Sequence, residues 1–117
     1  MTKGYETIKE RFLTFPAETQ VLHLVAELAR AKDRLPVSKK EAESRLDDSI
    51  VLINDILEDP KWVSGRKEVL LLREAVSSHS GFRKPCGTIS QIIEATLLLN
   101  PGAYRKAQAM IENYSDR

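Results

Sequence analysis

Apolar residues recur at spacings of three and four along the chain, with no run of strict alternation and no Asn-Gly or Asp-Gly pair to turn a hairpin. This pattern predicts an all-α protein. Proline removes a backbone donor and disfavours helix in the residue before it, so Pro16, Pro36, Pro60, Pro85 and Pro101 mark the corners. A first helix over residues 5–14 turns Ile8, Phe12 and Phe15 inward and is marginal alone. A second starts at Pro16, a favourable first helical residue, and runs to about residue 35 with Val21, Leu22, Val25, Leu28 and Ala29 on one face. Ser38 and Glu41 have the spacing of a capping box and open a third helix to about residue 58, with Ala42, Leu46, Ile50, Ile53 and Leu57 inward.

Ser64 is the expected N-cap of a fourth helix, which carries Val69, Leu70, Leu71, Leu72, Ala75 and Val76 inward and closes at Gly81. Thr88 with Gln91 makes a second capping box before Ile89, Ile92, Ile93, Thr96 and Leu97. Asn100, Pro101 and Gly102 then turn the chain into a last helix that uses Ala103, Ala107, Met110, Ile111 and Tyr114. The expected architecture is a compact bundle of about five helices with Pro and Gly corners, in a single domain over residues 1–117.

Ile50, Val51, Leu52 and Ile53, and again Val69, Leu70, Leu71 and Leu72, are apolar around more of the helix than one stripe requires, as are Leu97, Leu98 and Leu99. Such helices are central in a core or carry an exposed patch that meets a partner. Two corners are alike: Asp59-Pro60, Trp62 and Arg66-Lys67 match Asn100-Pro101, Tyr104 and Arg105-Lys106. A helical array requires about three units, so these read as two similar corners rather than a repeat.

Composition narrows the function. With 42% apolar and 30% charged residues the chain can fill a core, and 18 basic against 17 acidic residues leave a net charge of +1. That balance gives no global field to attract nucleic acid or anionic lipid, so any such partner requires a local patch. One cysteine and an N-terminus without an apolar signal segment lead to the expectation of a cytoplasmic protein, and no window approaches the roughly 18 apolar residues of a membrane span.

Reactive constellations are scarce. Neither His23 nor His79 has a glutamate three residues before it, so the Glu-x-x-His pattern of a bundled metal site is missing. The segment from Gly81 to Thr88 lacks the spacing and the lysine of a phosphate loop. Arg83 and Lys84 would activate the Cys86 thiol, but no general base is nominated beside it. The expectation is a protein without enzymatic activity, cofactor, metal or small-molecule substrate.

One pattern runs against helix electrostatics. Helix N-termini favour acids, yet Lys39-Lys40, Arg66-Lys67 and Arg105-Lys106 open helices, and Arg83-Lys84 precede Thr88. A bound anion would make them favourable, and so would acids of the preceding helix reaching across the corner. The first expectation is a non-enzymatic adaptor or regulatory domain that binds protein and self-associates as a homodimer, through the apolar face of residues 50–57 or 69–76. The alternative is a small nucleic-acid-binding protein. It would use a helix-turn-helix-like hairpin over residues 88–114 with Tyr104, Arg105, Lys106 and Gln108 as readers, supported by Arg66, Lys67, Arg83 and Lys84.

Overall fold

The computed structural model describes residues 8–79 and 88–115, with side-chain environments over 9–79 and 88–109. Among these residues there are six α-helices and no strand: α1 (Ile8–Thr14), α2 (Ala17–Arg34), α3 (Lys39–Glu58), α4 (Arg66–Ser77), α5 (Ile89–Leu97) and α6 (Pro101–Ser115). A 3-10 segment, Pro60–Gly65, joins α3 to α4. Gly81, Cys86, Arg83 and Lys84 lie outside the described residues, as do the side chains of Ile8, Met110, Ile111 and Tyr114.

The corners follow from their polar residues. Pro16 occupies the N-cap of α2. Its missing N–H costs nothing there, since first-turn donors have no intrahelical partner. At the next corner the Arg34 carbonyl accepts from the amides of Val37 and Ser38, and Ser38 Oγ accepts from the Glu41 amide at 3.2 Å. The Glu41 carboxylate does not return to the cap. It is held by the Arg34 guanidinium, with Nε at 2.8 Å, which clamps the end of α2 to the start of α3. Thr88 and Gln91 form the full reciprocal capping box.

Asp59 and Asn100 explain the likeness of the two Asx-Pro corners. Asp59 Oδ1 accepts from the Lys61 amide at 3.0 Å, and Asn100 Oδ1 accepts from the Ala103 amide at 3.1 Å. Each side chain caps the turn that the following proline begins. Because Asp59 starts that turn, the backbone is already wound at residue 60 and Ser64 falls inside the 3-10 segment. Gly65 takes the N-cap of α4, without a side-chain bond, in place of the expected Ser64.

Four helices close a ring: α2 packs on α3 and α5, and α4 packs on the same two from the opposite side. α6 lies across α2 and α5, α1 lies on α3, and the 3-10 segment sits between α3 and α4. The centre is filled by Leu24, Leu28, Leu46, Ile53, Ile56, Val69 and Val76, all buried, with Leu72 and Ile92 nearly so. Two hydroxyls inside this core are satisfied within their own helices: Ser49 donates to the Arg45 carbonyl and Thr96 to the Ile92 carbonyl. Leu24 and Ala31 are fully buried, whereas Leu22, Val25 and Ala29 are half-buried, so the inward stripe of α2 is rotated from the one its periodicity suggests.

Gln20 is the buried polar hub. Its Nε2 donates to the Phe12 carbonyl and to Asp59 Oδ2, both at 3.0 Å, and its Oε1 accepts from the Trp62 indole N–H at 2.7 Å. Lys61 Nζ extends the network to Asp59 and to the Leu13 carbonyl. A buried amide is tolerated when its bonds are made and is costly when they are not. Gln20→Ala is therefore expected to lower the unfolding free energy by about 2–4 kcal/mol, through orphaned buried groups and a cavity. Urea unfolding followed by circular dichroism measures it.

The same network sets a pH dependence. Burial pushes the Asp59 carboxyl upward, but hydrogen bonds from the Lys61 ammonium, the Gln20 amide and the Lys61 backbone outweigh it and hold the carboxyl below its ordinary value of 3.8. Its folded-state pKa is thus below the unfolded one, so the stabilisation is complete above the unfolded value and is lost as pH falls through the folded one. Asp55 runs the other way: burial raises it despite Lys9, so its charged form disfavours folding as pH rises through the carboxylate range. Urea midpoints of wild type and Asp59→Asn, compared from about pH 6 down to about pH 2, are expected to differ most at the upper end and to converge toward the lower.

Candidate interaction surface

Among the described residues, helices frame two concavities with apolar walls. The first, a cleft of about 670 Å³, runs between α1 and α2 beside Leu52 and is lined by Arg11, Phe12, Phe15, His23, Glu27 and Arg30 among others. Its groups are matched to one another. Phe15 stacks on His23 with centroids 5.0 Å apart, and Phe12 meets both rings edge-on. Glu27 Oε1 accepts from Arg30 at 2.6 Å, and its buried Oε2, which has no hydrogen bond, faces Arg45 at 3.8 Å. The cleft is the seam along which a short helix leans on a long one.

The second is an apolar groove of about 470 Å³ between α4 and α5. Leu72, Ala75, Ile92, Ala95 and Leu99 line it, with Leu71 and Leu98 on its rims and Glu68 and Gln91 as its polar members. Leu71 is 63% exposed and Leu98 65%, beside Leu72 and Ile92, which belong to the core. The expectation that Leu70 and Leu71 point inward with Val69, Leu72 and Val76 is corrected: Leu70 and Leu71 are exposed. The reason is geometric. Among the described residues the twelve residues of α4 pack mainly on α3, α5 and the 3-10 segment, and three inward positions spaced three and four apart fill that contact. In the run of residues 50–53 only Ile53 is fully buried, while Val51 is 58% exposed.

Of the basic pairs expected to open helices, Lys39-Lys40 and Arg66-Lys67 stand in the first turns of α3 and α4, whereas Arg105 and Lys106 are the fifth and sixth residues of α6, beyond its first turn. Arg66 donates to the Leu57 carbonyl at 2.7 Å, satisfying one of the orphan acceptors that end α3. Lys106 lies 3.2 Å from Glu18 Oε1. The same carboxylate rests against Gly102, where an added Cβ would meet it at 3.1 Å. An anion thus stands at the α6 N-terminus, and it belongs to α2. Lys67, Arg105 and Gln108 are exposed, and Tyr104 is half-buried. Three residues separate α5 from α6, a tighter turn than the sequence suggests.

Other charges serve packing. Lys9 bonds Glu58 at 2.6 Å and lies 3.8 Å from Asp55, which ties α1 to α3. The Glu58 hydrogen bond holds the Lys9 ammonium above its ordinary pKa. Among the described residues no group of His, Cys, Asp and Glu side chains could hold a metal ion, and no helix is long and apolar enough to cross a membrane. No family model, curated protein or solved structure matches this chain.

The rims of the groove contribute little to folding because they remain largely in water. Leu71→Ser and Leu98→Ser are each expected to change the unfolding free energy by less than about 0.5–1 kcal/mol. Leu72→Ala, at the buried floor, should cost about 2–4 kcal/mol. Thermal and urea unfolding of the three variants distinguish rim from floor.

Proposed function

We propose that this protein is a non-enzymatic helical interaction domain, adaptor-like or regulatory in kind, that binds protein through the α4–α5 groove. The observation that carries the reading is the pair Leu71 and Leu98, more than 60% exposed on the two rims of a groove whose floor is the hydrophobic core. Burying such rims on a partner's apolar side chains gains about 25 cal/mol per Å² of surface removed from water, before the costs of association are met. The groove has the form that accepts the apolar face of an amphipathic helix, with anchors at spacings of three and four.

The nucleic-acid alternative has weaker support. It asks basic side chains to converge on one phosphate track, and here Arg66 is bonded to the Leu57 carbonyl and Lys106 is paired with Glu18, on different helices. Binding to oligonucleotides with a steep salt dependence would nevertheless favour it.

Titration of the isotope-labelled protein with a synthetic amphipathic helix carrying leucines at i, i+3, i+4 and i+7 tests the groove. Amide shifts are expected to concentrate on residues 68–75 and 91–99, and Leu98→Ser should weaken binding about tenfold or more. Shifts scattered over the surface, or equal binding by the variant, would overturn the assignment.

A further inference from the structure

Among the described residues, the two walls of the α4–α5 groove each carry an acid that no base neutralises. Glu68 lines the groove on the α4 side, three residues before the rim Leu71. Glu94 is exposed on α5, three residues after Gln91 and four before the rim Leu98, so it stands on the same side of its helix as both. Neither carboxylate has a hydrogen bond or an ion pair among the described residues. The bases of the two helices are engaged elsewhere or offset. Arg66 is bonded to the Leu57 carbonyl and Arg73 to Asn54 Oδ1, both on α3. Lys67 and Glu74 flank Leu71 with opposite signs, and α5 has no basic residue.

Resting on the reading of this groove as a protein-binding one, we propose that its occupant is a basic amphipathic helix. Its apolar stripe seats between the leucine rims, and a lysine or arginine stands on each flank of that stripe. The base on one flank meets Glu68 and the base on the other meets Glu94. A neutral helix fills the same groove through its leucines but leaves both carboxylates unpaired, and an acidic one adds repulsion at each wall. The field of the whole chain does not make this choice, since a net charge of +1 would attract an acid. The preference for a base comes from the groove alone.

Helix electrostatics distinguish the two acids. Glu68 lies in the first turn of α4, where the dipole favours an acid whether or not a partner is present. Glu94 lies in the last turn of α5, where the helix end carries partial negative charge and a base is the favoured residue. Its position is unfavourable in the chain alone and becomes favourable when a cation is brought beside it. Glu94 is thus the acid that folding leaves unexplained, and it stands one turn from Leu98.

Three synthetic helices test the choice with the full chain. Each has leucines at i, i+3, i+4 and i+7, and the flanking positions are all lysine, all glutamine or all glutamate. Fluorescence anisotropy at low salt is expected to rank them lysine, glutamine, glutamate, with about fivefold between neighbours, and the ratios should shrink toward unity at about 1 M salt. Glu68→Gln and Glu94→Gln, both at exposed positions, should each reduce the lysine-over-glutamate ratio, and the charge-reversed E68K/E94K should invert it. Equal affinities for the three helices, with amide shifts on residues 68–75 and 91–99, would overturn the basic partner and leave the groove reading standing. A lysine preference that survives in E68K/E94K would also overturn it, because the attraction would then arise away from these walls. Shifts on those residues from none of the three helices would overturn the groove reading and this one together.

Discussion

The side-chain amide of Gln20 holds together parts of the chain that have little else in common. It lies on α2, and its three bonds reach the end of α1, the Asp59 corner and the Trp62 ring in the 3-10 segment. α1 has seven residues, too few to be helical on its own merits, and the 3-10 segment has six. Both are given a place by a group that must be bonded on every side once it is buried. Apolar contacts alone would hold them with less directional constraint.

The remainder of the architecture follows from α2 lying opposite α4 in a ring. α2 is covered by α3, α5 and α6, and uses its whole inward arc. Among the described residues α4 packs mainly on α3, α5 and the 3-10 segment, and Leu70 and Leu71 of its apolar run are exposed. Leu71 is also a rim of the groove beside α5. Charge is handled locally: Glu41 with Arg34, Glu58 with Lys9 and Glu18 with Lys106 each fasten one helix to another. Exposed pairs of this kind add little stability singly.

Much of the fold was legible from the chain because corners are written in local chemistry. Pro16, Ser38, Thr88 with Gln91, and Asn100 with Pro101 all stand where capping and proline geometry would put them. The Ser64 cap failed because Asp59 acts earlier, and the preference of a serine carries no information about a competing cap five residues upstream. Gln20 was hidden for a different reason. Periodicity counts polar residues as outward, and only the meeting of residues 12, 20, 59 and 62 in space shows that this amide is saturated inside. The candidate surface was half legible. The excess of apolar residues on α4 was plain, but which of them face water depends on how many helices surround it. Arg83 and Lys84 fall outside the described residues, and Arg66 and Lys106 are bound to a carbonyl and a carboxylate that sequence distance conceals.

Trp62 is the only tryptophan in the chain, and its ring is buried with the indole N–H bonded to Gln20. Its fluorescence is consequently an optical record of one knot, the junction of α1, α2 and the 3-10 segment, and of little else. Loosening that junction would expose the ring and shift its emission to the red even where helix content survives. Events confined to the outer face of α4 would leave the colour unchanged. The protein thus carries an intrinsic means of telling a change in its interior from a change at its surface.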